Sequence, residues 1–144
     1  MPFYRHRQSS LLIPTVTLLP ALAVIAAVLT AQRAVVFTPL ALLAVIFIAL
    51  ALGFSSLTVE VGADEIVWFF GPGIWRKRID RRDVASVEAV RNPWWYGIGI
   101  HLTPRGWLYN VGGRDAVEIA LVSGRTLRIG TDEPDALLAA LRRR

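Results

Sequence analysis

The sequence predicts an α+β membrane protein: a pair of N-terminal transmembrane helices, then a seven-stranded antiparallel β-barrel or sandwich capped by a C-terminal helix. Three observations predict this. From Leu11 to Phe54 the one charged residue is Arg33, whereas every Asp and Glu lies at Glu60 or beyond. From Leu57 apolar residues alternate with polar ones on a period of two, as in half-buried strands. The final segment, from Thr131, returns to a helical period. The two materials join near Ser55 and Ser56. Residues 1–55 hold a tail and two spans, and residues 56–144 form a water-facing domain.

The first span covers about residues 11–32. An uncharged run of that length crosses a hydrocarbon core of roughly 30 Å at about 1.5 Å per residue. Pro14 falls in its first turn, and Pro20 lies deeper, where the missing N–H predicts a kink. Ala31-Gln32-Arg33-Ala34 supplies the polar turn. Thr38 then reads as an N-cap and Pro39 as the first position of a second span, about 39–55. A cleaved signal peptide would have a shorter apolar stretch and no second span behind it. Buried helices of a soluble protein would show a polar face, and neither run has one. Arg5 and Arg7 precede the first span, and two spans return the chain to its starting side. The expected location is therefore the inner (plasma) membrane, multi-pass, with both termini cytoplasmic.

In the second half, Leu57, Val59 and Val61 alternate with Thr58 and Glu60. Gly62-Ala63-Asp64 makes a turn, and Glu65 to Phe70 is a strand apolar on both faces. Gly71-Pro72-Gly73 turns the chain into Ile74 to Ile79. Val84 to Val90 is a fourth strand. Ile98, Ile100 and Leu102 mark a fifth, Val117, Ile119 and Leu121 a sixth, and Arg125 to Ile129 the last. Thr103 to Asp115 is read as a long glycine-rich loop with an aromatic plug. Thr131 and Asp132 offer N-caps to the closing helix, whose Leu137, Leu138 and Leu141 form an apolar stripe. Acidic residues at its start and arginines at its end suit the helix dipole.

Thr58-Val59-Glu60-Val61, Ile66 to Gly73, Ile79-Asp80 with Asp83 to Val87, and Gly124-Arg125 with Arg128 to Thr131 carry a resemblance. Together with seven strands and one capping helix, they resemble the pleckstrin-homology (PH) superfold. They also resemble the bacterial PH-like domains found behind short transmembrane hairpins. The resemblance covers Leu57 to Leu141 and implies architecture more firmly than activity. Eukaryotic PH domains often bind phosphoinositides through basic residues in the first hairpin loop. Here that loop is Gly62-Ala63-Asp64, which has none.

The formal charge is +5, but the half after Ser55 carries 13 basic residues against all 11 acids. That balance argues against nucleic acid as a partner. Arg76, Lys77, Arg78, Arg81 and Arg82 form the sharpest basic cluster. They are candidates for anionic lipid headgroups, or else a solvated strand and turn beside Asp80 and Asp83. Strand alternation puts Arg76 and Arg78 on one face and Lys77 on the other. Trp94, Trp95, Tyr96 and Trp107 are candidates for a membrane interface or a partner contact. The plainer reading packs them on the core, with at least one of the adjacent tryptophans inside.

No cysteine is present, and His6 and His101 are the only histidines, not at metal-ligand spacing. No nucleophile–base pair, elbow motif or phosphate loop stands out, so neither an enzyme nor a cofactor is expected. The leading expectation is a non-catalytic binding or scaffolding module anchored in the lipid bilayer. Alternatives are an anionic-lipid sensor and an accessory subunit of a membrane enzyme or transporter. Self-association fits the first of these, and a membrane-protein partner fits the last.

Overall fold

In the computed structural model, residues 2–30 and 34–143 are described, excepting the side chains of residues 34–38 and 74. The chain is α+β, with three α-helices and two sheets among those residues. The first sheet has the order β1-β2-β3-β4, with β1 Tyr4–Ser9, β2 Ser56–Val61, β3 Glu65–Phe70 and β4 Ile74–Asp80. The second has the order β5-β8-β9-β7-β6, with β5 Val84–Arg91, β6 Gly99–Thr103, β7 Gly106–Asn110, β8 Asp115–Leu121 and β9 Thr126–Gly130. Helices α1 (Leu12–Thr30) and α2 (Ala34–Phe54) lie between β1 and β2 in the chain, and α3 (Pro134–Arg142) follows β9.

The expected seven antiparallel strands are thus corrected to nine among the described residues, one pair of which is parallel. Two strands come from segments read as irregular. The tail forms β1, pairing antiparallel with β2 from Tyr4↔Val61 to Ser9↔Ser56. Tyr4, His6 and Gln8 are the more buried residues of β1, so a period of two is present, but polar side chains carry it. The long loop contains β7, which forms a hairpin with β6 and a parallel pair with β9. Its inner residues Leu108 and Tyr109 are buried. At the sheet edge, β6 leaves Ile100 half-buried and Leu102 exposed.

Helix α1 continues through Pro20. Among the described residues, Leu12–Thr30 alone is a helix long and apolar enough to cross a bilayer; the apolar stretch Pro39–Phe54 is shorter. The polar turn expected at Ala31-Gln32-Arg33 lies outside the described residues. The expected start at Thr38-Pro39 is corrected: α2 already runs from Ala34, with Pro39 inside it. A proline there removes a single backbone donor, which a helix packed beside a neighbour tolerates. The two helices pack on each other, and Ala21, Ala44 and Ala51 are buried. Small residues of this kind let helix backbones approach closely. Leu19, Leu22 and Leu29 of α1, and Leu42, Val45 and Leu52 of α2, are exposed.

The core lies between the sheets. Leu57, Val59 and Val61 meet Ile66, Trp68 and Phe70 from one side, and Val117, Ile119, Leu127 and Ile129 from the other. Leu137 and Leu141 of α3 are buried in the same cluster and Leu138 packs against it, so the predicted stripe covers the core. The cap of α3 differs from the expectation. The helix starts at Pro134, whose fixed φ suits a first position, and Glu133 precedes it without a side-chain cap. Thr131 Oγ1 instead accepts the Glu133 N–H at 3.1 Å, and Asp132 turns to His6 Nε2 at 2.6 Å.

Candidate functional site

An apolar groove of about 350 Å³ lies between β4 and the second sheet. Trp68, Trp75, Ile100, Trp107 and Tyr109 supply its apolar walls. Lys77, Arg78 and Arg125 also line it, and no lining residue is acidic. Among the described residues, none of those three cations has a carboxylate within 4.0 Å. Glu65, Asp80 and Asp83 line an adjoining cleft that shares Arg78 and Arg125. The groove therefore offers an aromatic body with a cationic rim.

Backbone geometry sets that wall. Trp68 pairs with Lys77 and Phe70 with Ile74, so one extra residue is accommodated opposite Phe69. Trp75 sits in this bulge with φ 57°, a left-handed conformation that costs a bulky L-residue about 1–2 kcal/mol. Its side chain is 57% exposed. Behind it, Trp68 meets Tyr109 edge-on at 5.3 Å between centroids. The Trp68 Nε1–H is buried without an acceptor, and burial pushes the Tyr109 hydroxyl pKa up.

The predicted basic residues do not come together. Arg76 faces outward, 4.7 Å over the Phe69 ring and 3.8 Å from Glu60. Lys77, on the opposite face of the strand, and Arg78 reach the groove. Arg82 is 3.8 Å from Asp80 and otherwise exposed. Arg81 is committed to the backbone: it donates to the carbonyls of Gly62 and Leu141, each at 3.1 Å, and to that of Arg143. It pins the β2–β3 turn to the end of α3.

Strand register also sets where these residues lie. Ser56 opens β2 beside the helices and Val61 closes it, about 17 Å away at the rise of an extended strand. The backbone carbonyl of Asp64, beyond Val61, accepts the Arg81 backbone N–H at 2.8 Å. Arg81 and Arg82 therefore occupy the end of the sheet remote from α1 and α2.

The aromatic candidates separate as well. Trp107 lines the groove and is about half exposed. Trp94 and Trp95 form a 3₁₀ turn with Tyr96 and are 76% and 66% exposed. The expectation that at least one of them is core is corrected: Trp68, Phe70 and Tyr109 are the large aromatics of the core. The turn is held from below. Asn92, buried, accepts from Arg128 Nη1 at 2.8 Å, and Arg128 Nε donates to Glu118 at 2.7 Å.

Sequence reasoning missed Trp75 and Arg125, which were read only as strand residues. A tryptophan just past Gly71-Pro72-Gly73 was the available signal for Trp75, and nothing local marked Arg125. Among the described residues, no three of His, Cys, Asp and Glu gather as metal ligands. Comparison with protein-family models, with curated proteins and with solved structures found no match.

Proposed function

We propose that the chain is a membrane-anchored, non-catalytic binding or scaffolding module whose PH-like β domain faces the cytoplasm from the inner (plasma) membrane. One observation carries the reading. Helices α1 and α2 present leucine, valine and isoleucine outward, and both leave from the single point where Ser9 pairs with Ser56. Each such side chain left in water forgoes about 1.5–3 kcal/mol of burial, so these faces belong in a nonpolar solvent. A clasp at the base brings the chain back to the side it left.

The groove is where this module takes its partner: an apolar segment bearing negative charge, matching aromatic walls and the rim of Lys77, Arg78 and Arg125. Tethering raises the local concentration, so a weak contact there suffices.

The chain has no cysteine, which makes the test simple. Ser123→Cys, in the exposed β8–β9 turn, is labelled with a membrane-impermeant maleimide in intact and in permeabilised cells. Labelling only after permeabilisation, with the protein retained by membranes through alkaline carbonate, is the expected result. Release by carbonate sinks the anchor, and labelling of intact cells sinks the orientation.

A further inference from the structure

We infer that Trp94 and Trp95 seat in the headgroup layer of the bilayer that holds α1 and α2, so that the β domain lies against its own membrane. The inference rests on the membrane reading above and adds a second point of attachment.

A chain of short contacts connects these tryptophans to the base of α1. Gln8, in the last part of β1, donates from Nε2 to the Gly112 carbonyl at 2.9 Å. Gly112 lies against Ser10, so closely that a β-carbon on it would be 3.3 Å from Ser10 Oγ. Asn110 Nδ2 then bridges the Gly113 and Gly97 carbonyls at 3.2 and 3.1 Å. Gly97 closes the Trp94–Tyr96 turn through its N–H to the Trp94 carbonyl. Ser10 is two residues before α1 begins. The turn thus stands beside the point where the chain enters its apolar helices.

Exposure and chemistry fit that place. The two indoles stack edge to face at 5.9 Å, and each is mostly outside the protein. An indole carries a large apolar ring and one N–H, which suits the boundary between headgroups and acyl chains. The headgroup layer is about 5–7 Å deep on each side, within the reach of a ring anchored beside Ser10. The turn is also rigidly mounted. The Asn92 N–H and carbonyl bond to the Arg114 carbonyl and Nε at 2.7 and 3.1 Å, so the rings are held out by structure. The basic residues Arg81 and Arg82, at the far end of the sheet, take no part.

The test uses the full chain reconstituted in phosphatidylcholine vesicles whose lipids carry bromine either close to the headgroup or deep in the acyl chain. Tryptophan fluorescence is compared among wild type, the Trp94→Phe/Trp95→Phe double variant, and Leu19→Trp in that double background. Leu19 lies on the outward face of α1 and reports insertion of the helix. Shallow bromine is expected to quench wild type, and most of that quenching is lost in the double variant, while deep bromine quenches the Leu19→Trp protein. Equal shallow quenching of wild type and double variant, with Leu19→Trp still quenched, overturns the seating alone. An unquenched Leu19→Trp overturns the membrane reading with it. Far-ultraviolet circular dichroism confirms that each variant folds.

Discussion

Ser9 lies directly opposite Ser56 in the β1–β2 ladder, and one residue further out Ser10 donates its N–H to the Ser55 carbonyl at 2.9 Å. The whole apolar excursion from α1 through α2 therefore starts and finishes at one backbone clasp. The strand before the helices and the strand after them belong to one sheet, and β1 covers the edge that β2 would otherwise leave open.

That arrangement makes the tail part of the domain. A soluble fragment beginning at Ser56 is expected to be less stable than the same fragment with residues 2–10 fused ahead of it by a flexible linker. The difference should be about 2 kcal/mol or more, since β1 packs Tyr4 against the core and covers its flank. Urea denaturation measures it, and size-exclusion chromatography should show the shorter fragment associating through its bare strand.

Gly71 lies where the β domain meets the end of α2. Its φ is +51°, and a β-carbon there would sit 2.6 Å from the Gly53 carbonyl oxygen and 2.7 Å from that of Leu52. Its N–H reaches the Ser56 carbonyl at 2.9 Å. Gly71→Ala should cost about 2–3 kcal/mol, combining left-handed strain with overpacking. Hydrogen exchange should show loosened protection at the start of β2 and the end of β3.

Arg128 and Glu118 form a nearly buried pair, with side-chain exposures of 9% and 13%. Arg128→Met alone leaves the Glu118 carboxylate with only the exposed Arg105, 3.8 Å away, and should destabilise the domain by about 3 kcal/mol. The double variant Arg128→Met/Glu118→Leu should recover most of that loss in urea denaturation. Asn92 loses its partner in both variants, so the Trp94–Tyr96 turn above it should become more mobile in both.

Much of this architecture was legible in the sequence, and what was not has physical causes. The apolar helices and β2–β5 announce themselves through side chains that must avoid water, such as Leu57, Val59, Trp68 and Phe70. Strand β1 was hidden because Arg5, His6 and Arg7 obscure the alternation, and its reason for being extended lies in β2, beyond both helices. Strand β7 was hidden because it opens on Gly106 and gains its parallel partner, β9, only through the fold. Of the residues named from the sequence as possible contacts, Lys77, Arg78 and Trp107 line the groove, although strand alternation had set Lys77 and Arg78 on opposite faces. Trp75 joins them through a backbone bulge, and Arg81 is diverted to carbonyls, which no spacing along the chain announces.

That diversion yields a further prediction. Arg81→Ala should cost about 1–3 kcal/mol, because carbonyls of Gly62, Leu141 and Arg143 lose a charged donor. It should fray the end of α3 in hydrogen exchange. Quenching of Trp94 and Trp95 by brominated lipid should be unchanged.

Tyr4 provides a pH-dependent signature. Burial raises its pKa from 10.0 to about 12, helped by the nearby charges of Glu133 and Asp132. The folded chain therefore holds the proton through a range in which the unfolded chain releases it. This stabilising contribution is complete below pH 10 and is lost as pH rises from 10 to about 12. Tyr4→Phe should flatten the fall in stability across that window. It should also remove a buried hydroxyl that has no hydrogen-bond partner.

The β1–β2 ladder also imposes an order on biosynthesis. Tyr4–Ser9 leaves the ribosome ahead of both apolar helices, and the strand that completes it emerges only after they have been made. The earliest strand must wait, extended and unpaired, until the chain has gone out and come back. Were the two helices to leave Ser9 and Ser56 on opposite sides of a bilayer, that ladder could not close.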